Sequence, residues 1–84
     1  MPESKASRHR PIPQGLAQDL AIATRTLRER SGLTQEEVAA RSQVSVQMVR
    51  RLEAGTSNPT LGTLHAIAVA LNTNLASLLD EARN

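Results

Sequence analysis

An all-α domain of five helices is predicted by three features of this chain. Apolar residues recur at three- and four-residue spacing along most of its length, with turn chemistry between the runs. Cap residues fall where those runs begin: Thr34, Ser45, Thr60 and Asn74. The 84 residues include no Phe, Tyr or Trp, so the core has to be assembled from Leu, Ile, Val, Ala and Met. That length allows one domain and leaves no room for a separate ligand-sensing domain.

Residues 1–14 carry three of the four prolines (Pro2, Pro11 and Pro13), which leave no helical period. They also hold Lys5, Arg8 and Arg10 against Glu3 alone, a net of +2. This stretch is expected to be a flexible basic tail ahead of a domain spanning 15–84. Two readings of it stay open: a solvated tail, with His9 a bystander, or a basic arm reaching into a minor groove.

A first helix is predicted from Gly15 to about Arg30, with Leu16, Leu20, Ala23 and Leu27 as its inner stripe. Asp19 near its start and Arg25, Arg28 and Arg30 near its end suit the helix dipole. Gly32 supplies the left-handed stop, and Leu33 turns inward. Thr34 and Glu37 form a capping box for a short helix from Gln35 to about Ser42, with Val38 and Ala39 inside. Ser45 caps the next helix, which turns Val49 and Leu52 inward and leaves Val46, Gln47, Arg50 and Arg51 on other faces. Two helices this short do not persist alone, so they are expected to be wedged as a pair against a larger body. The loop TSNPT then leads to Thr60, the cap of a helix with Leu61, Leu64, Ile67, Ala68 and Leu71 at core spacing. His65 falls on its outer side. Asn72 suits a left-handed stop, and Asn74 caps a last helix with Leu75, Leu78 and Leu79.

From Gly15 onward seven Arg balance seven Asp/Glu, so affinity for phosphate must come from local clustering. Nine of the ten basic residues are Arg, which forks onto phosphate and guanine better than Lys does. No catalytic constellation is present. The two histidines are far apart and lack metal spacing, there is no Cys and no Gly-rich phosphate loop, and the Ser, Thr and Asp residues are explained as caps. Neither a cofactor nor an enzymatic activity is expected. No apolar run approaches the roughly 20 residues of a membrane span, and a chain without Cys suits a reducing cytoplasm.

The segment TQEEVAARSQVSVQMVRRLEAG, followed by SNPTLGTLHAIAVALN, resembles the Cro/cI-type (Xre-like) helix-turn-helix family of phage repressors and bacterial regulators. Gln35, Ala39, Val44, Val49, Leu52, Glu53 and Gly55 carry the resemblance, which extends over about Leu16 to Ala82. It implies a compact lambda-repressor-like fold and a DNA-binding surface comprising Gln35, Arg41, Ser45, Val46, Gln47, Arg50, Arg51 and Ser57. Positions matching Val46, Gln47 and Arg51 approach bases in this family, and that of Gln35 holds backbone phosphate. On helical geometry, Val46, Gln47 and Arg50 are expected to share one face, with Arg51 at its edge. The resemblance also implies a pairing of Arg28 with Glu53. Gln43 departs from the family pattern, standing where Gly is usual in the turn. The implied function is that of a dimeric, self-controlling transcription regulator on a pseudo-palindromic operator, as in restriction–modification controllers and prophage repressors. The dimer would form through Leu75, Leu78 and Leu79. An antitoxin-like protein-binding module, or the DNA-binding part of a longer regulator, is the competing reading.

Overall fold

The computed structural model describes residues 10–83. Five helices follow in order: α1 Gln14–Arg30, α2 Gln35–Ser42, α3 Val46–Ala54, α4 Leu61–Ala70 and α5 Leu75–Arg83. α1 packs against α3 and α5, α2 against α3 and α4, and α4 against α5. One core, with Leu20, Val38, Val49, Leu52, Ile67 and Leu78 among its members and further leucines and alanines between, joins all five.

The predicted caps hold. Glu37 N–H donates to Thr34 Oγ1 at 3.0 Å while Thr34 N–H donates to Glu37 Oε1 at 2.8 Å, a complete capping box. The box holds the Glu37 carboxyl below its ordinary pKa, first through the bond from the Thr34 backbone and then through the Thr34 side chain. Ser45 Oγ accepts from Met48 N–H, Thr60 Oγ1 from Thr63 N–H and Asn74 Oδ1 from Ser77 N–H. Four helices end in one left-handed residue, at Gly32, Gln43, Gly55 and Asn72. In each case the next residue's N–H folds back onto a carbonyl of the last turn: Leu33 to Arg28, Val44 to Ala39, Thr56 to Arg51 and Thr73 to Ala68. Such closures keep the connections short and pin the angle between successive helices.

Two inner stripes differ from expectation. Leu16 is 41% exposed and Leu27 only half-buried, while Ala17, Leu20, Ala21, Ala23 and Thr24 form the buried face of α1. α1 is covered from two sides, by α3 and α5, so its buried face is wide and built of small residues that admit both neighbours. On α4, Leu61 is 70% exposed. It begins the helix, roughly 70° from the centre of the Leu64–Ile67–Ala68–Leu71 face at 100° per residue.

The terminal leucines divide. Leu78 has 0% exposure and belongs to the monomer core, Leu75 is half-buried against it, and Leu79 is exposed. Leu78 is therefore corrected from a dimer contact to a core residue, because α5 needs it to close against α1 and α4. The expectation for residues 1–9, with Lys5, Arg8 and His9, lies outside the described residues. The described end of the expected 1–14 tail does touch the body: Ile12 packs against the core, and Asn58 Nδ2 donates to Arg10 O at 3.1 Å.

Candidate nucleic-acid interface

The arrangement of α2 and α3 follows from a few residues. The turn at Gln43, with φ 60° and ψ 31°, reverses the chain in two residues before Ser45 starts α3. Ser42 Oγ donates to Val38 O at 2.7 Å, which satisfies the hydroxyl inside the closing turn of α2. α3 is then fixed from behind. Val49 and Leu52 enter the core, and Glu53, 8% exposed, meets Arg28 of α1.

That meeting is bidentate. Arg28 Nε donates to Glu53 Oε2 at 2.7 Å and Nη2 to Oε1 at 3.0 Å, while Nη1 donates to Leu33 O at 2.9 Å. Gln35 Nε2 also donates to Glu53 Oε1 at 3.0 Å. One carboxylate thus ties together the last turn of α3, the last turn of α1 and the first residue of α2. The hydrogen bond to Glu53, partly opposed by burial, holds Arg28 still more firmly protonated than usual. The forked geometry sets the rotation of α3 about its own axis, which decides which residues face out.

Gln47, Arg50, Arg51 and Ala54 are the exposed residues of α3, while Val46 and Met48 are half-buried. The outward face is centred on Gln47, Arg51 and Ala54, which succeed one another at four and three residues. The expected face is revised at Val46, which leans partly onto the core; at 100° per residue Gln47 stands at the centre of the exposed arc, with Arg50 and Arg51 toward its two sides. The reason is Glu53: its burial rotates α3 so that the buried arc runs through Val49, Leu52 and Glu53 together. Arg50 Nη2 donates to Glu36 Oε2 of α2 at 2.9 Å, a pair with both side chains at least half exposed.

The remaining predicted residues fall as follows. Arg41 is exposed at the end of α2 and Ser45 exposed at the start of α3, its Oγ serving the cap. Gln35 is half-buried and its amide is oriented by Glu53; Nε2 carries a second hydrogen for an outside acceptor. Ser57 is corrected: its Oγ is buried without a partner among the described residues, so it does not face outward. The exposed residues of that loop are Thr56, Asn58 and the cap residue Thr60. The Glu36–Arg50 pair and the Asn58–Arg10 bond were not foreseen. No spacing rule links residues across a turn, but Ile12, a lone aliphatic residue between two prolines, was a signal for docking of the segment it sits in.

Among the described residues, no group of His, Asp or Glu side chains comes together to hold a metal ion. Nor is any single helix among them long and apolar enough to cross a membrane.

A short helix, braced from behind by a buried ion pair and crossed by a second short helix, defines a helix-turn-helix DNA-binding regulator. The chain matches the helix-turn-helix family over residues 25–78, and it belongs to that family, in its Cro/cI-type (Xre-like) branch. It is 49% identical over 53 residues to an uncharacterised HTH-type transcriptional regulator, y4dJ, of Sinorhizobium fredii; the match covers 63% of this chain and 69% of that protein. The clp gene regulator ClgR of Corynebacterium glutamicum superposes with a TM-score of 0.77 at 32% identity, covering 81% of this chain and 87% of the other. The restriction–modification controller protein C.Esp1396I shares the fold, with a TM-score of 0.74 at 20% identity over 81% of this chain and 90% of the other.

Proposed function

We propose that this protein is a sequence-specific regulator that binds duplex DNA as a dimer, with α3 lying in the major groove. The observation that carries the reading is the exposed row Gln47–Arg51–Ala54, flanked by Arg50, on a helix whose opposite side is fully committed to the core. Gln47 has the donor and acceptor for an adenine edge, and Arg51 the fork for guanine O6 and N7. Ala54 and the exposed part of Val46 offer methyl groups to thymine. Arg50, already shared with Glu36, holds a phosphate or a second guanine. Backbone contacts come from Arg41, the second hydrogen of Gln35 Nε2, the start of α3 at Ser45, and the exposed Thr56 and Asn58.

A two-fold pair of such chains places its α3 helices about 34 Å apart, one turn of duplex, on a pseudo-palindromic operator. The exposed Leu79, beside the half-buried Leu75, supports a contact through α5. Dimerisation makes operator occupancy follow the protein's own concentration by mass action, and an operator at its own promoter makes that control autoregulatory. The family membership and the similarity to a protein described as a gene regulator support the regulatory reading.

Selection of bound duplexes from a random pool identifies the operator, and gel shift at fixed salt tests the residues. Gln47→Ala and Arg51→Ala are each expected to remove about 1–3 kcal/mol of discrimination against a wrong base, with helical content and melting unchanged. Wild-type operator preference in the double variant would reject the assignment.

A further inference from the structure

We propose that Glu36 governs Arg50: it masks the Arg50 charge on duplexes that offer only phosphate, and steadies its guanidinium for a guanine in the operator. The inference rests on the DNA-binding reading above and deepens it, by giving a selectivity role to an acidic residue outside α3.

Its first support is the contrast between adjacent arginines. Arg50 and Arg51 lie toward the two sides of the exposed arc of α3. Arg50 Nη2 donates to Glu36 Oε2 at 2.9 Å, whereas Arg51 has no ion pair among the described residues. One arginine therefore meets a duplex with its charge free, the other with its charge balanced. Unlike the buried fork on Glu53, the Arg50 bond is a single contact with both side chains at least half exposed. It restrains the guanidinium without locking it, and the remaining N–H donors stay available.

The second support is where Glu36 stands. Glu37 commits its carboxylate to the Thr34 cap. Glu36 instead reaches across the turn to α3. It is the second residue of α2, directly after Gln35, which holds a phosphate in the reading above. A carboxylate there repels any duplex by charge alone, whatever its sequence. Guanine O6 and N7 are neutral acceptors, so a charge-balanced arginine keeps its fork for them while its pull on phosphate is weakened.

The test is fluorescence anisotropy on the full chain over a salt series, with the selected operator and a shuffled duplex. Glu36→Gln, Arg50→Ala and the double variant are compared with wild type. Melting changes little in Glu36→Gln, because an exposed pair adds little to folding. On the shuffled duplex this variant steepens the slope of log K against log salt by about 0.9, one unmasked charge. Referred to 1 M, that slope amounts to roughly eightfold tighter binding at about 0.1 M salt. The operator gains less, because Arg50 has lost its brace. The operator-to-shuffled ratio therefore falls roughly threefold or more, part of the about fivefold to hundredfold that a guanine fork carries. In the Arg50→Ala background the same Glu36→Gln change leaves the ratio where it was. Equal gains on both duplexes, or a fall in ratio that persists without Arg50, would overturn the inference and leave the α3 assignment standing. A wild-type chain that bound neither duplex would remove the DNA-binding reading itself, and this inference with it.

Discussion

Glu53 is the residue on which the geometry of α3 depends most, and its loss should be felt first as stability. In Glu53→Leu the Arg28 guanidinium keeps only Leu33 O, in a site where its side chain is 14% exposed. In Arg28→Met the Glu53 carboxylate, 5% exposed, keeps only the Gln35 amide. Leaving one member of a buried pair uncompensated costs about 3–5 kcal/mol. Water reaches part of Arg28, which places Glu53→Leu near the lower end, about 3 kcal/mol. For a domain of this size that corresponds to a fall in melting temperature of roughly 12–24 °C. A stability of 5 kcal/mol, the low end for native domains, would be mostly consumed. The double variant Arg28→Met/Glu53→Leu removes both charges and fills the space with apolar atoms, so it should melt within about 1–2 kcal/mol of wild type. Thermal and urea melts followed by circular dichroism close this double-mutant cycle. Strictly additive costs, or a single-variant shift below about 4 °C, would refute the idea that this pair fixes α3.

Gln43→Gly should raise stability by about 0.5–1 kcal/mol, since Gln43 sits at φ 60° and only glycine takes that conformation without cost; a lower melting midpoint would contradict it. Thr34→Ala should raise the Glu37 pKa only part of the way toward the ordinary carboxylate range, as read by side-chain NMR titration, because it removes the Thr34 side chain and keeps the backbone N–H, the larger cause. A lowered folded-state pKa gives stability that is present above the unfolded pKa and lost as pH falls through the folded one. The capping box therefore contributes at neutral pH and fades as pH falls from the ordinary carboxylate range through the lowered Glu37 value. Leu78→Ala should cost about 2–5 kcal/mol in a melt, because Leu78 is wholly inside the monomer. Leu79→Glu should leave the melt of the isolated chain nearly unchanged and weaken self-association in sedimentation. A monomeric wild type would remove the dimer from the proposal.

Much of this fold was legible because local chemistry and tertiary packing agree. Every cap named from a single Ser, Thr or Asn is formed, and the left-handed stops at Gly32 and Asn72 are where turn chemistry puts them. The pairing of Arg28 with Glu53, 25 residues apart, was legible only through family resemblance, as no local rule reaches that far. What could not be read was the rotation of each helix within its stripe. Leu16 and Leu61 fit the apolar period as well as their neighbours do, yet both lie in the first turn of their helices and are exposed, at 41% and 70%. The face of α3 shifted for a related reason: a buried glutamate counts as polar in any periodicity, so the inner arc was centred without it. Ser57 likewise looked like a surface hydroxyl because nothing local records that residues 10–13 fold over its loop.

The central claim is that the outward row of α3 meets duplex edges. Backbone amide shifts of the labelled protein, titrated with the selected operator, test it most directly. The largest changes are predicted at Gln47, Arg50, Arg51 and Ala54, with lesser ones at Gln35, Arg41 and Thr56, and none at the exposed Ile22 or Val69. Changes concentrated on α4 and α5, with the α3 row silent, would contradict it.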